Sequence, residues 1–240
     1  MASRRDQLVG NRLALLGTLL YFMEWAVIPF APSLPTDRLG DDPGTILAAY
    51  AEHPGTTALL AGWLSFVLLG RIAFCVGLRN AFRTSPRELA LADWAFGAMV
   101  VSVAIEVVCY GLVAAGGWLA DAGSGAGTIV ALDAAGTVLF YLIFAPIGLS
   151  MLAGSLAMSI SGLFPRWIVW LGIVSGPLVV AGGIVGASAA GSTGAFHDIG
   201  AALNGLPVAG FWVWIIATSV LLFRHAPRRA ATSRGSSEPA

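Results

Sequence analysis

The chain has 240 residues, of which 57% are hydrophobic and only 11% charged. Soluble domains average about 25% charged and about 45–50% apolar residues, so this composition argues against a cytosolic enzyme, a disordered chain or a disulfide scaffold. The 13 basic residues, all arginine, balance 13 acidic ones, and net zero charge argues against nucleic acid as a partner.

A hydrocarbon core of about 30 Å takes roughly 20 apolar helical residues to cross. Six stretches qualify, at about 13–31, 57–78, 92–115, 128–152, 167–190 and 203–223. They are long apolar runs and not ten-residue alternations, so helices satisfy their backbone in lipid and a barrel does not. The expected fold is all-α: a polytopic membrane bundle of six transmembrane helices in a single domain over 1–226, with a disordered tail over 227–240. The first stretch carries Glu24 and exceeds the 7–15 residue apolar core of a signal peptide, so it reads as a retained helix. After it, prolines 32, 35, 43 and 54 punctuate the longest loop, in which 45–53 reads as a short helix on the outer surface.

Arginine placement sets the sides. Arg4, Arg5, Arg12, Arg71, Arg79, Arg83, Arg87, Arg166, Arg224, Arg228, Arg229 and Arg234 fall on one side of a six-span chain, and Arg38 alone on the other. The positive-inside rule makes the first side cytoplasmic, with both termini there and the chain in the cell membrane. Trp118, Trp167 and Trp170 mark span ends at headgroup level. Gly172 and Gly176, then Gly182, Gly186 and Ala190, repeat the small-xxx-small spacing of close helix packing, read as packing within the bundle. Pro146 and Pro177 are expected to kink the fourth and fifth spans.

Ionisable residues at membrane depth are the candidate chemistry. An upright-helix rise places Glu24 about 16 Å and Arg71 about 10 Å from the cytoplasmic end of their spans, a gap an arginine bridges. Glu24–Arg71 is therefore the expected structural ion pair, with Arg71 snorkelling to the surface as the alternative. Glu106 falls about 21 Å from the inside and Asp133 about 8 Å below the outer surface, nearly the same depth. Their spans are joined by the short glycine-rich stretch 116–127, so the two carboxyls are expected to meet. Two close carboxyls do not both ionise easily, leaving a protonated acid for Brønsted chemistry. Each acid has hydroxyl neighbours at helical spacing: Ser102 and Tyr110 by Glu106, Thr137 and Tyr141 by Asp133, Thr18 and Tyr21 by Glu24. The bland reading is that these hydroxyls only satisfy buried carboxyls.

Asp93 reads as an end-of-helix charge near Arg87, and the Asp41–Asp42 pair as a solvated turn. Cys75 and Cys109 lie too far apart in depth for a disulfide. His53 and His197 lack metal-ligand spacing, and no Walker A, GxGxxG or HExxH motif occurs, so no metal or cofactor is expected.

The first span ending at Pro29, DDPGTILAAYAEHPG at 41–55 and FPRWIVWLG at 164–172 resemble small six-helix membrane proteins of high-GC bacteria that are functionally unassigned. AIEVVCYGL at 104–112 is similar to the glutamate-bearing helix of membrane-bound terpene cyclases, which implies Glu106 as a candidate acid. In that family the glutamate lies on an earlier helix. Three functions follow. The first is a membrane-embedded enzyme cyclising a lipophilic, isoprenoid-like small molecule, with Glu106 or Asp133 as proton donor, Glu24 as a further acid and Tyr110 and Tyr141 stabilising cations. The second is a proton-coupled small transporter using Glu24, Arg71 and Glu106. The third is a structural or regulatory protein whose only certain partner is the lipid bilayer.

Overall fold

Proline stands in the first turn, where its missing N–H costs nothing, of α2 (Pro43–Glu52), α3 (Pro54–Val67) and α5 (Pro86–Asp121). The other elements are α1 (Arg4–Phe22), α4 (Leu69–Ala81), α6 (Ala126–Leu142), α7 (Phe144–Ser161), α8 (Arg166–Ala189) and α9 (Pro207–Arg224). The computed structural model describes residues 4–27, 41–83, 85–189 and 207–224, and these contain no strand. The expected end of the first span at 28–31, His197, Asp198, Asn204 and the tail over 227–240 lie outside the described residues.

Among the described residues, five helical stretches are long and apolar enough to cross a membrane: Pro54–Ala81, Pro86–Asp121, Ala126–Ser161, Arg166–Ala189 and Pro207–Arg224. The expected sixth, at 13–31, is not among them. The α1 helix starts at Arg4, takes in Asp6 and Arg12, and ends at Phe22. Residues 23–27 follow as tighter turns, each N–H reaching the carbonyl three residues back, as in Glu24 N–H to Tyr21 C=O at 3.1 Å.

Two of the five stretches are interrupted at one residue. Ala126–Ser161 breaks at Ile143 between α6 and α7. Pro146 explains this, because it offers no N–H to the carbonyl four residues back, that of Leu142. Pro177 does not break its helix, and α8 runs through it. The other interruption is at Leu68, between α3 and α4, where Arg71 N–H bonds Leu68 C=O at 3.0 Å. No proline is there. The interruption adjoins Gly70, whose backbone lies against the amide of Tyr21.

The side chains are sorted as lipid requires. Leu59, Trp94, Trp167, Trp170 and Ile184 face outward, while Ser102, Ser150, Ser155, Thr218 and Ser219 are completely buried. Thr18 and Ser219 share a hydrogen bond of 2.6 Å that clasps α1 to α9, and Trp214 Nε1 donates to Ser155 Oγ at 2.9 Å between α9 and α7. Such bonds replace water that lipid does not supply.

Glycine sets two helix crossings. On α1 and α4, a Cβ at Gly17 would lie 2.6 Å from the Gly70 carbonyl, and one at Gly70 would strike the Gly17 carbonyl. On α7 and α8, a Cβ at Gly176 would lie 2.7 Å from the Gly148 carbonyl, and one at Gly148 would strike the Gly176 carbonyl. Gly172, expected to pack within the bundle, faces Ser155 and Trp214 and does so. The glycine-rich stretch 116–127 is shorter as a connection than expected. Gly116 and Gly117 belong to α5, and the chain turns only at 122–125, where Gly123 takes φ 80°.

Candidate functional site

The predicted hydroxyl-and-acid faces are buried faces. Ser102, Glu106 and Tyr110 point inward from α5, and Asp133, Thr137 and Tyr141 point inward from α6. Arg71 of α4 is 1% exposed, Glu106 5% and Asp133 2%.

Arg71 does not take Glu24 as its ion-pair partner, as its depth suggested. It pairs with Glu106 across α4 and α5 through Nη2, and Nη1 stands 3.5 Å from Ser102 Oγ. Tyr110 donates to the other oxygen of Glu106 at 3.4 Å. The Tyr21 ring of α1 lies over the guanidinium at 5.1 Å, a cation–π contact. The Tyr21 hydroxyl accepts from Trp212 Nε1 of α9 at 3.2 Å. Three helices thus meet at one arginine, and α9 joins them through Tyr21. Glu24 sits half-buried on the turn after α1, within electrostatic range of Arg71 and Glu106.

The upright-helix ladder misplaced the pair for a geometric reason. The α5 helix has 36 residues, about 54 Å of rise. Against a core of about 30 Å it must tilt or project, so residue number overstates depth along it. Asp93, expected beside Arg87, instead pairs with Arg79 nearer the arginine-bearing end, forming a second rung between α4 and α5.

Glu106 and Asp133 were expected to meet. Each has partners of its own. Glu106 faces Arg71 and Tyr110, whereas Asp133 accepts from Tyr50 of α2 at 3.1 Å. Between them Cys109, in electrostatic range of both acids, donates its S–H to Gly136 C=O at 3.2 Å. Tyr141 lies just before the interruption between α6 and α7, with its carbonyl 2.8 Å from where a Gly183 Cβ would sit. Cys75 and Cys109 are free and buried.

Tyr50 is the residue that sequence reading missed. The expected surface helix exists as α2, begun by Asp42, whose side chain caps Gly44 N–H at 2.9 Å. Its Ile46 and Tyr50 are buried against Val113, Ala120 and Ile129. Gly116 makes room, since a Cβ there would lie 2.5 Å from the Tyr50 ring. The four-residue spacing of Ile46 and Tyr50 is the signal that marks this inward face. Tyr50→Phe removes the hydroxyl and leaves the ring, a loss of about 1 kcal/mol. With Ile46→Cys as a buried reporter, thiol labelling is expected to speed up several-fold when Tyr50→Phe is added. Unchanged labelling would show that the Asp133 contact does not hold α2.

This geometry combines a neutralised arginine–carboxylate pair in the middle of the bundle with a tyrosine-bonded carboxyl under α2. The chain matches no known protein family, no curated protein and no solved structure.

Proposed function

We propose that this protein is a multi-pass membrane protein with a structural or regulatory role, whose buried charges set helix register. The observation that carries this is the Arg71–Glu106 pair, in which the arginine and the glutamate satisfy each other inside the bundle. Arg71 engages one oxygen of Glu106 and Tyr110 the other, which weighs against Glu106 as the acid that meets a substrate. The likeness to functionally unassigned six-helix membrane proteins fits the same reading. By the positive-inside rule, the bundle end bearing Arg79, Arg83 and Arg87 faces the cytoplasm of the cell membrane, with both termini on that side.

A second reading is favoured by the separate hydrogen bond of Asp133. Here the protein is an enzyme on a lipophilic, isoprenoid-like molecule, with Asp133 as the proton donor and Tyr50 orienting it. Tyr141 and Tyr110 would then face developing positive charge.

Incubation of the purified protein in liposomes with linear terpenyl substrates separates the two. The structural reading expects no cyclised product. Product that disappears with Asp133→Asn would overturn it and establish the second.

A further inference from the structure

Two connections meet at the arginine-bearing end of the bundle. The ring of Phe82, which caps α4, lies 6.1 Å from that of Phe164, just before α8. Arg83 adjoins this contact, Arg87 stands in the first turn of α5, and Arg166 is the first residue of α8. All three are exposed and make no ion pair among the described residues. Of the acids at this end of α5, Asp93 pairs with Arg79, and Glu88 is half-buried with one carboxyl oxygen enclosed.

Tryptophans share the arginine faces, a step deeper. Trp94 follows Arg87 by two turns of α5, about 10 Å, and Trp170 follows Arg166 by one turn of α8, about 6 Å. Trp94, Trp167 and Trp170 are each more than half exposed, on helices apolar and long enough to span. Outward indoles at span ends sit at headgroup level. A guanidinium one or two turns nearer to water then stands at the lipid phosphates, to which it donates paired hydrogen bonds. The opposite end is different. Trp118 is exposed there too, but among the described residues that end carries Asp41, Asp42, Glu52 and Asp121 and no exposed arginine. Choline headgroups bring their own cation to the phosphate. Acidic headgroups bring none, so arginines near the surface favour them.

We propose that the outward faces of α5 and α8 at this end bind acidic phospholipids of the adjoining leaflet. Arg83, Arg87 and Arg166 hold the phosphates, and Trp94, Trp167 and Trp170 lie along the glycerol and upper acyl chains. Charge and depth together fix the occupant, because a soluble anion meets the arginines but leaves the three indoles uncovered. The inference rests on the membrane-spanning reading and is independent of the Arg71–Glu106 pair.

The three tryptophans serve as reporters. The full-length protein is reconstituted in phosphatidylcholine bilayers containing brominated phosphatidylglycerol or the same fraction of brominated phosphatidylcholine, and tryptophan quenching is compared. The wild type is expected to be quenched more by the acidic lipid, as a several-fold preference at the protein surface. Combined Arg83→Gln, Arg87→Gln and Arg166→Gln is expected to remove most of this excess, and lysine at the same positions to keep it. Combined Trp94→Phe, Trp167→Phe and Trp170→Phe is expected to remove it too, which locates it. Unreactive Cys75 and Cys109 verify folding, and single Arg→Gln variants, each expected to lower the excess, stand in if the triple variant fails to fold. Equal quenching of the wild type by the two lipids would overturn the proposal. So would an excess that survives the glutamine or the phenylalanine substitutions. No quenching by either lipid would overturn the membrane-spanning reading along with it.

Discussion

Arg71→Met is expected to destabilise the folded bundle more than any other single change at the polar centre. Methionine fills a similar volume, so the loss isolates the charge. Glu106 is left buried without its cation, and breaking a buried pair from one side costs about 3–5 kcal/mol. Tyr21 loses the cation under its ring, which adds about 0.5–2 kcal/mol. The protein supplies its own reporter. Cys75 and Cys109 are its two cysteines, and they are buried. A water-soluble thiol reagent is expected to leave the wild type unlabelled until it unfolds, and to label Arg71→Met at clearly lower denaturant. Equal midpoints would mean that the pair contributes nothing.

Leucine at either glycine crossing is the second large effect. At Gly17 or Gly148 a side chain meets backbone of the facing helix, which has no rotamer by which to give way. Overpacking costs about 1–3 kcal/mol where neighbours adjust, and more where backbone must move. Gly17→Leu is expected to separate α1 from α4, and Gly148→Leu to separate α7 from α8. Gly62, Gly97 and Gly111 provide the contrast, because a Cβ there meets nothing within 4 Å. Alanine at those three positions is expected to be neutral or stabilising by up to about 1 kcal/mol each, through helix propensity. Denaturation midpoints for both sets check this. If Gly17→Leu and Gly62→Ala behave alike, close backbone approach is not what joins α1 to α4.

Much of this was legible in the chain before any coordinates. Apolar runs locate the five described stretches that are long and apolar enough to span, and four-residue spacing identifies the buried polar faces of α5 and α6. Pro146 marks the interruption at Ile143, since it offers no N–H to the Leu142 carbonyl. What escaped the sequence was what depends on partners distant in sequence. Arg71 reads as the partner of Glu24 because an upright ladder does not show which neighbouring helix the arginine faces. The Tyr50–Asp133 contact escapes the sequence because α2 reads as a surface helix, whereas it turns Tyr50 inward. Gly116 read as loop although it is helical, since the same residue type serves a turn and a close contact. The helix of the first stretch extends back to Arg4, ahead of the apolar run that begins at Leu13.

The most direct test of the Arg71–Glu106 pair as a register device is a double-mutant cycle with Arg71→Met and Glu106→Leu. Each single variant leaves one charge buried alone, whereas the double variant leaves none and fills the space with apolar side chains. Because both single losses stem from one interaction, the double variant is expected to recover most of the stability, with a coupling energy of about 2–3 kcal/mol. Losses that simply add, with coupling below about 0.5 kcal/mol, would contradict the pairing and the structural role built on it.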